Sequence, residues 1–411
     1  MQEVTFHLQT ITPLFLAGAE YNFDWIPEHR CQPREDRQQG KKTKSTFADH
    51  GWKLQAEIRS PSFRGLMRYW LRAAVGGLID TMSISLKETI QFEQSVFGAT
   101  DQSSAITLRV ADVPKEVKPF ERNMTGQDYL LWSMWLSGYG TDYKPERSYY
   151  PEGSRFKVIL SERDIDSTAP KALPYAVAAM WLLTSLGSIG ARSHRCAGSL
   201  MVEQVEMVEQ VKVAIPNLPF TAARNKEDLQ EMLQQGIREI RRLSISHLQD
   251  LKAHAGTPFT RPSFDSLLLP HAGDPSPPPY GCHIWILTQQ NGSPWNTLSD
   301  AMDEIGRKLK DYRSSLDLLD RTAFGLPLNA RLPKRDVEVE NALKNARRAS
   351  PLLLRITQLS NGKYVCVAVL FKTPTPPIMD DRNEHILIPE PDYTLLEDWI
   401  AKAFHALEVE L

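Results

Sequence analysis

The same order of sequence features occurs twice in this chain, and this repetition constrains the fold more than any other feature. In each half, an amphipathic helical pattern leads into a Phe-Gly dipeptide, then to serine and an apolar strand. The first copy reads VFGATDQSS-AITLRV at 96–110. The second reads AFGLPL at 323–328, followed by RRASP-LLLRI at 347–356. Because the dipeptide lies between the same elements both times, the pattern indicates an ancient duplication.

Periodicity around each copy predicts the order strand, helix, strand, strand, helix, strand, which is that of a ferredoxin-like or RRM-like βαββαβ unit. We therefore expect an α+β protein with two tandem ferredoxin-like domains, at 1–212 and 213–411. The first carries a long basic loop at 20–55 and a glycine-rich loop at 187–200, and the second carries a linker with an extra helix at 213–280. The last strand of the second unit is weak, because only 408–411 follow the predicted helix.

Composition excludes several classes of protein. The 48 basic and 50 acidic residues give a net charge of −2, which excludes a uniformly basic nucleic-acid coat but permits local basic patches. The four cysteines form no CxxC pair, so a zinc ribbon is not indicated, and we expect no metal or cofactor. The longest uncharged run, 172–191, is interrupted by Pro, Gly, Ser and Thr and predicts a buried helix. We expect a cytoplasmic protein without a membrane partner.

The most informative motif is a basic helix predicted to start at Ser60 and Pro61. Helical spacing gathers its arginines on one face and its apolar residues on another. The helix start also offers free N–H groups that suit a phosphate. Between positions 30 and 72 the chain has 11 Lys or Arg against 4 Asp or Glu, which favours a phosphate-binding face over an ordinary solvated one. The candidate phosphate contacts here are Arg59, Ser62, Arg64, Arg68 and Arg72.

Two loops offer further phosphate donors. In the glycine-rich loop GSIGARSHRCAGSL, three glycines permit a close approach of the backbone to a ligand, and Arg192, His194 and Arg195 supply donors. The basic loop of the second half supplies Arg347 and Arg348. For both loops, an ordinary surface with solvated arginines remains an equal alternative.

The motifs TPLFLAGAE (12–20), EIRSPSFRGLMRYWLRA (57–73), VFG, GSIGARSHRCAGSL and AFGLPL…RRASPLLLRI occur together and in this order. In this combination the chain resembles the RAMP superfamily of CRISPR-associated proteins. The Arg-x-Pro-Ser-x-Arg-Gly-x-x-Arg-x-Trp-x-Arg pattern in particular resembles the first-numbered subunit of the Cmr complex, the type III-B effector.

This resemblance implies a non-catalytic structural subunit that works in antiviral defence and binds RNA through the candidate phosphate contacts of the basic helix and the two loops. Its expected partners are CRISPR guide RNA near the 3′ portion, target RNA and other Cmr or RAMP subunits. The alternative is a RAMP endoribonuclease that cuts RNA with a divalent metal held by a loop carboxylate, for which Asp24 is the candidate, or with a histidine base. A dinucleotide-binding enzyme is a more remote alternative.

Overall fold

The computed structural model describes most of the chain. The described residues are 2–17, 53–54, 56–76, 86–120, 125–132, 134, 146–163, 171–207, 217–251, 265–267, 281–326, 328, 337–373, 375, 377–379 and 386–410. Asp24 and nearly all of the predicted basic loop at 20–55 lie outside these residues.

The first half contains seven strands and four helices within the described residues. They are β1 (Glu3–Thr10), β2 (Lys53–Leu54), α1 (Ser60–Gly76), α2 (Leu86–Phe97), β3 (Ile106–Ala111), β4 (Lys118–Pro119), α3 (Thr125–Leu130), β5 (Glu146–Tyr149), β6 (Arg155–Glu162), α4 (Leu173–Ser185) and β7 (Leu200–Met207). Four strands form an antiparallel sheet in the order β3-β6-β1-β7. Along β1 the apolar residues Val4, Phe6 and Leu8 are buried, and the polar residues between them are partly exposed, as the alternation predicts.

The second half repeats this arrangement. Its elements are α5 (Lys226–Leu251), β8 (Gly281–Thr288), α6 (Leu298–Ser315), α7 (Val337–Asn345), β9 (Leu352–Gln358), β10 (Tyr364–Lys372), β11 (Ile378–Met379), β12 (Ile386–Ile388), α8 (Thr394–Ala403) and β13 (His405–Glu408). The main sheet has the order β13-β8-β10-β9 and is antiparallel. If the four strands of each main sheet are numbered in chain order, both sheets have the strand order 4-1-3-2 when read from one edge. The mixed α+β class is confirmed.

The closing strand of the second half differs from the prediction. Helix α8 ends at Ala403, earlier than its apolar pattern suggests, and β13 starts at His405 and pairs with β8. Leu407 lies opposite Ile286 in this pairing, although its spacing also fits the helix stripe. This residue adopts the strand rather than the helical conformation because β8 provides an unpaired edge for backbone hydrogen bonds.

The second sheet is buried on both faces. On β10, Val367 and Phe371 pack into the same apolar cluster as α1 and α4 of the first half, whereas Ala368 and Leu370 pack under the second half's own helices. The Trp70 ring of α1 lies 6.1 Å from the Phe371 ring. The hydrophobic core therefore continues across the predicted boundary at 212.

The extra helix also joins the halves. It extends over Lys226–Leu251 and contacts α1, α4 and β13. Gly236 of α5 lies against the indole of Trp181 in α4, where a Cβ atom would clash with the ring. Helix α4 itself is buried almost throughout, as predicted from its uncharged sequence.

Replacing Trp70 by alanine should lower the free energy of unfolding by about 3–5 kcal/mol, because the side chain is 1% exposed and its removal leaves a cavity between the halves. Urea titration followed by circular dichroism measures the change. Trp132 is 46% exposed, and Trp132→Ala should change stability by no more than about 0.5 kcal/mol. Equal destabilisation of the two variants would contradict the interior position of Trp70.

Candidate nucleic-acid interface

Helix α1 separates its apolar and basic residues as the sequence predicts. Phe63, Met67 and Trp70 are buried on one side. The side chains of Arg68 and Arg72 remain 30% and 42% exposed on another. The helix starts at Ser60 and Pro61, where the fixed φ of proline suits the first turn.

A polar cleft of about 460 Å³ lies beside this basic face, and we call it the arginine cleft. It is lined by Arg64, Arg68, Gln94, Phe97, Gly98, Ala99, Thr100, Gln102, Ser103, Ser104 and Arg163. Guanidinium, amide and hydroxyl groups dominate this lining, and all of them can donate hydrogen bonds to phosphate oxygens. The described residues that line the cleft do not include Arg59 or Ser62, although both lie at the start of α1.

The repeated Phe-Gly dipeptide forms one wall of the arginine cleft. Gly98 ends helix α2 with φ +81°, and its N–H donates to the carbonyl of Gln94 at 2.7 Å. A Cβ atom at this position would lie 2.7 Å from the amide nitrogen of Ser104. Glycine is therefore required for the chain to return past the helix end. The Phe-Gly turn, residues 97–104, thus brings its polar residues close to α1.

One buried carboxylate stands behind the basic face. Glu93 of α2 is 2% exposed and forms ion pairs with Nε of Arg68 and with Nη1 of Arg72, the latter at 3.5 Å. Neither Glu93 nor Arg163 is among the site residues predicted from the sequence. The sequence does contain a signal for Glu93, because its helical spacing places it on the same face as the buried residues Phe92, Val96 and Phe97.

The glycine-rich loop faces the second half of the protein. Arg195 is buried, and its Nη2 donates to the carbonyl of Phe324 at 2.7 Å. Nδ1 of His194 donates to the carbonyl of Ser350 at 3.0 Å. Nε of Arg192 donates to the carbonyl of Leu130 at 2.7 Å. The structure therefore departs from the expectation that Arg195 and His194 face RNA, because their polar groups bind backbone carbonyls inside the protein.

Burial also changes the ionisation of these side chains. It lowers the pKa of Arg195 to about 9 and the pKa of Arg192 to about 10. Burial lowers the pKa of His194 below its ordinary value as well. The two guanidinium groups stay charged at neutral pH, whereas His194 is mainly neutral there and is a poor partner for a phosphate.

An arginine from the second half in turn contacts the glycine-rich loop of the first half. Arg355 is 3% exposed, and its Nε donates to the carbonyl of Gly187 at 2.8 Å. Its Nη2 donates to the carbonyl of Leu200. These two carbonyls lie at opposite ends of the glycine-rich loop. A Cβ atom at Gly198 would clash with the carbonyl of Ile189, so this glycine is required by packing within the loop.

The two arginines in the basic loop of the second half differ in their exposure. Arg348 is partly buried and donates to the carbonyls of Thr322 at 2.9 Å and Pro389 at 3.3 Å. Arg347 is exposed, and its Nη1 donates to carbonyls at the end of α7, including that of Lys344 at 3.0 Å. Arg347 remains accessible to a ligand, whereas Arg348 mainly connects backbone segments.

Comparisons with known proteins agree with this architecture. The family model described as RAMPs, RAMP superfamily, matches residues 7–200, which include β1, α1, the Phe-Gly turn and the glycine-rich loop. Over these residues the chain matches the RAMP superfamily. It is similar to CRISPR system Cmr subunit Cmr1-1 of Pyrococcus furiosus, with 29% identity over 351 residues, or 84% of this chain and 88% of that protein. Cmr subunit Cmr1-2 of the same organism is 27% identical over 222 residues, which is 50% of this chain and 97% of that protein.

Two solved structures show the same fold as this chain. The crystal structure of apo Cmr1 from Pyrococcus furiosus matches with a TM-score of 0.59 and 20% identity, over 100% of this chain and 99% of that one. A chain of the cryo-EM structure of type III-B Cmr-beta bound to cognate target RNA matches with a TM-score of 0.56 and 12% identity, over 98% of both chains.

The described part of the chain contains neither a cluster of metal ligands nor a membrane-spanning helix. Within it, no group of three or more His, Cys, Asp or Glu residues could hold a metal ion. None of the described helices has the length and apolar character needed to cross a bilayer.

Replacing Arg195 by methionine should lower the free energy of unfolding by about 1–3 kcal/mol, because the buried carbonyl of Phe324 is left without its donor. Thermal or urea denaturation measures the change. The control is Arg347→Met, which removes the same charge from an exposed position and should cost no more than about 0.5 kcal/mol. If Arg195→Met were as stable as the wild type, its carbonyl contacts would have no structural role.

Proposed function

We propose that this protein is a member of the RAMP superfamily and a non-catalytic, RNA-binding structural subunit of a type III-B CRISPR effector complex. In this role it contacts the 3′ region of the guide RNA, the target RNA backbone, or both, and neighbouring Cmr or RAMP subunits in cytoplasmic antiviral defence. The similarity to Cmr1-1 over most of both chains supports the assignment to the complex. So does the fold shared with a chain of the Cmr-beta complex bound to cognate target RNA.

The arginine cleft is the observation that carries the RNA-binding proposal. Arg64 and Arg68 lie one helical turn apart on α1 and line the cleft together with Arg163. Three guanidinium groups around one polar cleft suit the phosphates of a single strand. Contacts of this kind carry little sequence information, which suits a subunit of a complex in which guide pairing reads the sequence.

We also propose that the chain consists of two tandem ferredoxin-like units, at 1–212 and 213–411. The shared strand order of the two main sheets supports this division. In each sheet a helix follows the first strand and another follows the third, as a βαββαβ unit requires. The two units then share one core, with α5 as an additional helix between them.

The double variant Arg64→Ala/Arg68→Ala should weaken binding of a guide-length single-stranded RNA by at least about tenfold, which corresponds to about 1.4 kcal/mol. The slope of log K against log salt should also become shallower by about 1.4, because each phosphate that is no longer neutralised reduces the slope by about 0.7. Fluorescence anisotropy at several salt concentrations measures both quantities.

The control for this experiment is Arg238→Ala/Arg242→Ala. These two arginines are exposed on α5 at the same helical spacing, so the change in net charge is equal. The control variant should keep both affinity and slope close to those of the wild type. Equally weak binding by the two double variants would show that net charge, rather than the arginine cleft, governs RNA binding.

A cleavage assay separates this proposal from the endoribonuclease alternative. Purified protein incubated with guide-complementary RNA and Mg²⁺ or Mn²⁺ should leave the RNA intact. Cleavage that disappears in Asp24→Ala would replace the binding role with a catalytic one. Gel electrophoresis of end-labelled RNA gives the result directly.

A further inference from the structure

Glu93 occupies a position where a carboxylate is unexpected. Helix α2 buries Thr89, Phe92, Val96 and Phe97 against the first half's core, and Glu93 is 2% exposed on the same side. A buried carboxylate requires charged or hydrogen-bonding partners. Its partners here are Arg68 and Arg72, two arginines of the α1 basic face.

The ion pairs connect the interior to the arginine cleft. Arg68 pairs with Glu93 through Nε, on the edge of the guanidinium, while the side chain is still 30% exposed and lines the cleft. An arginine held in this way gives up less conformational freedom when it binds a phosphate, because its planar donor fork is already oriented. Arg72 holds the other carboxylate oxygen, so the carboxylate is anchored from two successive turns of α1.

We propose that Glu93 is a positioning residue for RNA binding: its carboxylate orients Arg68 toward the arginine cleft and thereby strengthens the binding of a polyanion. This inference rests on the proposed RNA-binding function. It also reverses the expectation from net charge, since a carboxylate close to bound RNA should repel phosphates. The sign of a mutational effect therefore distinguishes positioning from simple charge.

The test compares two variants that each remove one negative charge near the cleft. Glu93→Gln should raise the Kd for single-stranded RNA by about threefold to tenfold and make the salt slope shallower by about 0.7, the value for a single phosphate that is no longer neutralised. Asp101→Asn is the control, because Asp101 is exposed in the Phe-Gly turn between two residues that line the cleft. It should leave the Kd unchanged or lower it.

A cycle with Arg68 tests whether Glu93 acts through that side chain. In the Arg68→Ala background, adding Glu93→Gln should weaken binding little further, because the group that it positions is already absent. If the two effects multiplied instead, Glu93 would not act through Arg68. Titrations are normalised to the folded fraction from circular dichroism, so that a change in stability does not enter the Kd.

If Glu93→Gln does not fold, Glu93→Asp replaces it. Aspartate keeps the charge but withdraws the carboxylate by one methylene, so net charge predicts an unchanged Kd and positioning predicts weaker binding. A Kd equal to that of the wild type would overturn the inference, as would tighter binding by a folded Glu93→Gln. Failure of the proposed function has a different signature, namely wild-type binding that does not depend on salt or on Arg64 and Arg68.

Discussion

Two arginines that cross between the halves in opposite directions hold the centre of this protein. Arg195 of the first half donates to the carbonyl of Phe324, and Arg355 of the second half donates to those of Gly187 and Leu200. Each guanidinium is buried and binds backbone carbonyls, so hydrogen bonds offset the cost of removing it from water. The glycine-rich loop is fixed between these contacts.

This junction determines which surfaces remain available for a ligand. The glycine-rich loop contacts the second Phe-Gly dipeptide through Arg195, which binds the carbonyl of Phe324, and it contacts the serine that follows through His194, which binds the carbonyl of Ser350. The first Phe-Gly turn instead forms a wall of the open arginine cleft beside α1. Two copies of one motif therefore have different roles, because the second lies inside the junction and the first lies at the surface.

The same difference in burial explains why the arginines of these motifs have different roles. In a buried position an arginine serves as a multiple donor to carbonyls, and burial lowers its pKa, as for Arg195 and Arg355. On α1, Arg68 and Arg72 keep partial exposure and share a buried carboxylate, Glu93. That arrangement leaves positive charge at the surface while the side chains are held in defined positions.

The sequence alone determined several of the elements and the basic face of α1. The alternation in β1, the start of α1 and the separation of its apolar and basic residues are local patterns, since each depends on residues within a few turns. Only the tertiary structure decided that Arg64 and Arg68 line a cleft while Arg195 is buried, and that β13 forms a strand. The burial of Arg195 depends on contacts with residues more than 100 positions away in the sequence. Burial of this kind follows from how the halves pack, which a local charge pattern does not specify.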